Sequence, residues 1–88
     1  MRILRINEVK LATGHRSHVS IYNAINAGLF TKPVSIGMRS VGWPEGEVFA
    51  INAARIAGQS QEKIRELVIL LEERRRDALM PYLLKEAA

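Results

Sequence analysis

Residues 14–30, GHRSHVSIYNAINAGLF, gather side chains that bind metals, activate nucleophiles or contact nucleic acid. One glycine, two histidines, one arginine and two serines precede apolar residues at helical spacing. Three kinds of site use such residues: a metal centre, a serine–histidine hydrolase and a DNA-reading surface. The three differ in the other ligands and acids that they require nearby.

The surroundings of the two histidines favour neither a metal site nor a hydrolytic site. His15 and His18 lie three residues apart, but Gly14 and Ser17 place His15 in a turn. Zinc needs three or four ligands, and the chain has no cysteine and no acidic residue close to the histidines in sequence. No nucleophile elbow is present. We therefore expect no catalytic residue, no metal, no cofactor and no small-molecule ligand.

The same polar residues suit a surface that binds DNA. Arginine can fork onto guanine, asparagine onto adenine, and serine, histidine and tyrosine can hold phosphate oxygens. No Asp or Glu that would repel the DNA backbone occurs between Glu8 and Glu45. Taken singly, each residue has an ordinary alternative, such as a helix cap for Ser17 or a half-buried ring for Tyr22. The candidate contacts are Arg16, Ser17, His18, Ser20, Tyr22, Asn23, Asn26, Lys32 and Arg39.

Two short helices and a tight turn are predicted to position these residues. Asn7 is a candidate N-cap for a first helix that ends at Gly14. Ser17 caps a second helix over residues 17–27, and Gly28 suits the left-handed position that ends it. Two short helices joined by a glycine-containing turn of three or four residues are typical of a helix-turn-helix.

A β-hairpin is predicted to follow the second helix. Apolar and polar residues alternate with period two over residues 34–43, on both sides of a glycine-containing turn. Arg39 would stand at the tip of this wing, where it could contact the minor groove or the backbone. Trp43 fits the core better than a base-stacking role. Pro44 suits the first position of a third helix, with acidic residues in its first turn.

The tail predicts a longer amphipathic helix that begins after a cap at Ser60 and ends or kinks at Pro81. The arginine run 74–76 is flanked by acidic residues and indicates a solvated face rather than a DNA contact. Apolar residues such as Ile69 and Leu70 lie off the main stripe, which favours self-association over packing within one chain. The candidate dimer contacts are Ile64, Leu67, Val68 and Leu71.

Length and composition bound the fold. The 88 residues suffice for one small core, and we expect a DNA-binding domain over residues 1–58 followed by a tail helix over 59–88. The net charge of +4 modestly favours a polyanionic partner. The longest apolar run has five residues, far short of the roughly 20 that a membrane span needs. We expect a cytoplasmic, nucleoid-associated protein with no membrane contact.

Three segments follow one another in the chain: RINEVKLATG, SIYNAINAGLFTKPVSIGMRSVGW and PEGEV. Each segment alone would be weak evidence for a family. Together they resemble the AlpA family of prophage regulatory proteins over about residues 2–57. Members of that family look like compact winged helices related to MerR-type and phage excisionase DNA-binding domains. The expected fold is mostly α with a small β-hairpin wing, namely a winged helix-turn-helix plus a C-terminal amphipathic helix.

The resemblance implies sequence-specific binding of double-stranded DNA and regulation of prophage or integrative-element genes, with no enzymatic activity. Two alternatives stand beside it: an excisionase-type architectural factor for site-specific recombination, and a protein-interaction module that works through the tail helix. The partners expected are double-stranded DNA and further copies of the chain, as a homodimer or a cooperative assembly on DNA. The contact positions that the resemblance implies are Arg16, Ser17, His18, Tyr22, Asn23 and Arg39.

Overall fold

The computed structural model describes residues 2–87 as a mostly helical chain with a small antiparallel sheet. This confirms the predicted fold class, a winged helix-turn-helix followed by a C-terminal helical tail. In chain order the elements are β1 (Ile3–Leu4), α1 (Ile6–Thr13), α2 (His18–Asn26), β2 (Val34–Gly37), β3 (Ser40–Pro44), α3 (Glu45–Ile56), α4 (Gln61–Glu73), a 3₁₀ segment (Arg74–Ala78) and α5 (Met80–Ala87). None of the described helices is both long and apolar enough to cross a membrane.

The core is built around Trp43, which is fully buried at the end of the wing. Its indole N–H donates a hydrogen bond of 2.8 Å to the carbonyl oxygen of Thr31, so that the polar edge of the ring is satisfied inside the protein. Trp43 is therefore a core residue, as predicted. Around it lie buried apolar side chains from α1, α2, α3 and the connection after α2: Val9, Ile21, Phe30, Val48 and Ile51.

The first helix begins earlier than predicted, at Ile6, with Arg5 as its N-cap. The prediction that Asn7 caps this helix is wrong because Glu8 supplies the capping interaction: its carboxylate accepts the backbone N–H of Arg5 at 3.0 Å. That hydrogen bond is the main cause of a lowered pKa for the Glu8 carboxyl, and the guanidinium of Arg2 adds to the effect. An acidic side chain in the first turn also suits the helix dipole.

The sheet has the order β1-β3-β2, with both pairs antiparallel. Gly42 lies in β3 next to the paired strand β1. A Cβ atom at this position would collide with the side chain of Ile3 and lie 3.0 Å from the carbonyl oxygen of Leu4. The short β1 strand can therefore pair with the wing only because position 42 has no side chain.

Gly42→Ala is expected to lower the free energy of unfolding by about 1–3 kcal/mol, because the backbone of β1 must shift to make room. Gly37→Ala is the matched control, since position 37 lies in the same hairpin and a Cβ there meets nothing within 4 Å. Chemical denaturation of both variants measures the difference. Equal stability of the two variants would contradict this account of the β1–β3 contact.

The tail packs on the body of the same chain. Ile64 and Val68 are buried in the one core, and Leu67 and Leu71 pack against it. The side chains assigned to a dimer interface are thus largely used within one chain, and the expectation that self-association through them outweighs intramolecular packing is corrected. Because the core continues past the turn at Gly58, the expected boundary between residues 1–58 and 59–88 does not separate two cores.

The tail bends before Pro81 rather than at it. The regular α4 helix gives way to the 3₁₀ segment, and α5 starts at Met80, which places Pro81 in the first turn of a new helix. Proline is tolerated there because the first-turn N–H groups have no partner within the helix.

An ion pair ties this tail to α3 and to the loop after α2. Arg75 donates to both carboxylate oxygens of the buried Glu47, at 2.8 and 2.7 Å, and to the carbonyl oxygen of Lys32 at 2.5 Å. Glu72 accepts the backbone N–H of Lys32 at 2.8 Å. The hydrogen bonds that Arg75 donates to Glu47 raise the pKa of the Arg75 guanidinium. Of the arginine run predicted to be solvated, the middle member is in fact structural.

Candidate nucleic-acid interface

The rotation of α2 is fixed by Ile21, which is fully buried. With 3.6 residues per turn, the positions opposite Ile21 are those at i, i+4 and i+7 from residue 19. These positions hold Val19, Asn23 and Asn26, all of which are exposed. We call these three residues the recognition strip. It is the outermost line of the second helix of the helix-turn-helix.

The start of α2 is held by the predicted cap. The Ser17 hydroxyl accepts the backbone N–H of Ser20 at 3.0 Å, so the side chain of Ser17 has a structural role. Arg16 precedes it and is exposed. The end of the helix is also supported, because Gly28 adopts a φ of 78° and Arg65 of the tail donates to the carbonyl oxygen of Ala27 at 2.9 Å. Both ends of the candidate recognition helix are therefore anchored.

The two histidines lie in the turn before α2 and at the first residue of α2. His15 is half-buried in the turn, and its Nδ1 lies 2.6 Å from the hydroxyl oxygen of Ser20. Ser20 is accordingly half-buried and partnered rather than free on the exposed face. His18 is exposed, with its Nε2 3.4 Å from the amide oxygen of Asn7 on α1. Both histidines thus make contacts that hold the turn between α1 and α2.

The pKa of His15 is lowered, first by desolvation and then by the positive charge of Arg55. The folded protein therefore resists protonation of this ring, whereas the unfolded chain takes up the proton near pH 6.5. The stability that follows from the neutral ring is present above that pH and is lost as the pH falls below it. We expect thermal melts to show this loss as the pH falls below about 6.5, and a His15→Gln variant to show a smaller loss. His18→Gln is the control, and an unchanged pH profile in His15→Gln would contradict the assignment.

Tyr22 packs against the core and is also partly exposed. Its ring stands edge-on to Trp43, with centroids 6.3 Å apart and an angle of 66° between the planes, yet 39% of the residue remains exposed. The ring is thus anchored on the core at the border of the exposed α2 face.

Two predicted contacts lie outside α2. Lys32 has an exposed side chain, while its backbone is held by the tail as described above. Arg39 is exposed at the tip of the wing and adopts a φ of 61°, a left-handed conformation that costs a non-glycine residue about 1–2 kcal/mol. An arginine kept in that strained position points to a role other than folding.

Arg39→Gly is expected to leave the free energy of unfolding unchanged or to raise it by up to about 1 kcal/mol, because glycine accepts a positive φ without strain. The same change removes the guanidinium, so we expect weaker binding to DNA. Thermal denaturation and a DNA titration of the same sample measure both effects, with Arg39→Lys as the variant that keeps the charge. Unaltered DNA affinity in Arg39→Gly would remove Arg39 from the interface.

Sequence reasoning missed Val19, which is not among the predicted contacts. The structure leaves 67% of this residue exposed on the outward face, in the first turn of α2. The signal was present in the spacing, because Val19 is two residues from Ile21 and so points away from it on a helix. Among the described side chains, those of residues 2–84, no group of three His, Asp or Glu that could hold a metal ion is found.

Comparison with known proteins assigns this chain to a family. The family model described as prophage CP4-57 regulatory protein (AlpA) matches residues 2–50, more than half of the 88 residues. The chain belongs to the AlpA family. The match runs from β1 into α3 and includes the helix-turn-helix and the whole wing, whereas α4 and α5 lie beyond it. The resemblance noted in the sequence is thereby confirmed.

One relative comes from Enterobacteria phage P4 and is described as uncharacterized protein ORF88. It is 42% identical over 60 residues, which make up 68% of this chain and 67% of that protein. No solved structure matches the chain significantly. AlpA-family proteins are described as regulatory proteins rather than as a class of enzyme, and the family connects this chain with prophages.

Proposed function

We propose that this AlpA-family protein is a sequence-specific regulator that binds double-stranded DNA and controls prophage or integrative-element genes. In this proposal α2 enters the major groove and the β2–β3 wing contacts the backbone or the minor groove. The observation that carries it is the exposed face of α2, where the two asparagines of the recognition strip lie beside an exposed arginine, Arg16. An α-helix fits the major groove, and these side-chain types are the ones that bond base edges there.

The distribution of charged residues also supports placing α2 and the wing against DNA. Between Glu8 and Glu45 the chain has six basic or histidine side chains and no acidic one. The acidic residues lie instead on α1, α3 and the tail, where Glu47 and Glu72 are already engaged in holding the tail to the body. Neither α2 nor the wing carries a carboxylate, so both can approach the phosphate backbone without repulsion from acidic side chains of their own.

Selection of bound duplexes from a randomised DNA pool, followed by titration of the winning duplex across salt, tests this function. We expect enrichment of a short motif, a falling affinity with rising salt and a large preference over random duplex. Binding no tighter than to random duplex would overturn the proposal of a sequence-specific regulator.

The wing favours a second candidate, an excisionase-type architectural factor. Met38 is 92% exposed at the wing tip, and apolar side chains inserted between base steps kink DNA. For this candidate we expect the selected duplex to bend on binding, as measured by energy transfer between dyes at its ends. We also expect Met38→Ala to reduce the bend. A duplex that stays straight would reject the architectural role while leaving the regulator intact.

We further infer that two or more copies act together on DNA. The end of the tail presents apolar side chains that are each 47–68% exposed, although an eight-residue helix such as α5 is only marginally stable by itself. Covering this surface with a second copy would also let one assembly hold two half-sites. The exposed residues are Leu79, Met80, Tyr82, Leu83 and Leu84.

Sedimentation equilibrium with and without the selected duplex tests self-association. We expect more than one copy per duplex, and loss of the assembly when Tyr82 and Leu84 are both replaced by serine. A single copy per duplex at all concentrations would overturn this inference and direct attention to a different protein partner for the tail.

A further inference from the structure

We propose that Val19 reads the 5-methyl group of a thymine in the recognised sequence, next to an adenine held by Asn23. This inference rests on the proposed DNA-binding function and adds the base that the N-terminal end of the recognition strip selects. It makes Val19 a specificity-determining residue.

The position of Val19 carries the argument. Ile21, Ala24 and Ile25 of the same helix belong to or pack against the core, whereas Val19 points away from it and is 67% exposed. Single exposed apolar side chains are common on protein surfaces and need no explanation by themselves. Val19, however, lies in the first turn of α2 and one helical turn before Asn23, on the line that would lie deepest in a groove.

The chemistry of the major groove gives this valine one natural partner. Of the four bases, only thymine presents an apolar group there, its 5-methyl, while adenine presents the donor and acceptor pair that an asparagine amide can bind with two hydrogen bonds. A valine placed against any other base edge would leave polar groups of that base without a partner.

The spacing along the helix fits neighbouring base pairs. Residues four apart are separated by about 6 Å along a helix axis, and base steps are about 3.4 Å apart. Val19 and Asn23 therefore reach bases one or two steps from each other. The recognised sequence is expected to contain an A·T pair for each of the two residues at this separation.

The experiment uses the full chain and the duplex obtained by selection. Each thymine is replaced singly by deoxyuridine, which lacks only the 5-methyl group, and the dissociation constant is measured by fluorescence anisotropy. For the wild-type chain we expect one thymine at which the change weakens binding about four-fold, the factor that corresponds to about 0.8 kcal/mol for one buried methyl group.

Val19→Ala provides the decisive comparison, and it is not expected to unfold the chain because the side chain is exposed. In this variant the deoxyuridine effect at that position is expected to disappear, while it persists in Leu11→Ala, which removes an 87% exposed apolar side chain from α1. Thermal melts verify that both variants fold.

Two results would overturn the inference alone: no thymine whose methyl group matters to the wild type, or the same deoxyuridine effect in the wild type and in Val19→Ala. Failure of the chain to prefer any duplex over random DNA would instead overturn the proposed function and this inference with it. The first two results leave a sequence-specific DNA-binding protein, so the two failures are distinguishable.

Discussion

Replacing Arg16 and Asn23 together by alanine is expected to lower the affinity for the selected duplex by at least about 30-fold. A well-placed bidentate contact contributes about 1–3 kcal/mol of discrimination between bases, and the double change removes two such candidates. Both side chains are exposed, so the free energy of unfolding should be nearly unchanged. Fluorescence anisotropy with the selected duplex and with random duplex measures the effect on specificity.

The control variant removes the same two side-chain groups from a surface that is not expected to contact DNA. Gln59→Ala with Arg76→Ala deletes one exposed amide and one exposed guanidinium from the turn before α4 and from the tail. This pair is expected to cost little more than the loss of one positive charge. An equal loss of specific affinity in the two double variants would show that general charge, rather than the α2 face, carries binding.

Arg75→Ala is expected to lower the free energy of unfolding by roughly 3 kcal/mol, because it leaves the carboxylate of Glu47 buried without its partner. It also frees the carbonyl oxygen of Lys32. For a chain of this size such a change lowers the melting temperature by more than about 10 °C. Thermal and chemical denaturation measure it.

The neighbouring arginines provide matched controls. Arg74 and Arg76 are exposed, so each alanine variant should lose well under about 1 kcal/mol. Glu47→Gln should be nearly as damaging as Arg75→Ala, and the double variant should be less destabilised than the sum of the two single changes. If Arg75→Ala behaved like Arg74→Ala, the ion pair would contribute nothing to holding the tail.

Local rules predicted the elements that depend on neighbours in sequence. Ser17 caps α2 because its hydroxyl reaches the N–H group three residues later, and Gly28 ends the helix because it accepts a positive φ. The alternation of apolar and polar residues over 34–43 predicted the hairpin. The start of α1 was misplaced because two capping schemes compete there, and the reach of Glu8 back to Arg5 decides between them.

The tail could not be predicted in the same way, because its packing depends on pairs far apart in sequence. The contact between Glu47 and Arg75 spans 28 residues, and the contact between Arg65 and Ala27 spans 38. A run of arginines among acidic residues carries no signal that one of them turns inward. The same limit applies to Ile64 and Val68, whose apolar pattern fits a dimer as well as a core.

For the candidate site, residue types were easier to predict than their orientation. The polar cluster of residues 16–26 is evident from the sequence, whereas the rotation of α2 follows from the burial of Ile21. That rotation turns Ser20 toward His15 and brings Val19 outward. One buried residue therefore decides which members of the cluster are available to a partner.

Amide chemical-shift mapping by NMR during titration with the selected duplex tests the central claim most directly, since a 9.9 kDa chain gives resolved spectra. We expect the largest shifts at Arg16, along α2 and at the tip of the wing around Arg39, with small shifts in α4. Shifts concentrated in α4 and α5, with α2 unaffected, would contradict the assignment of α2 as the recognition helix.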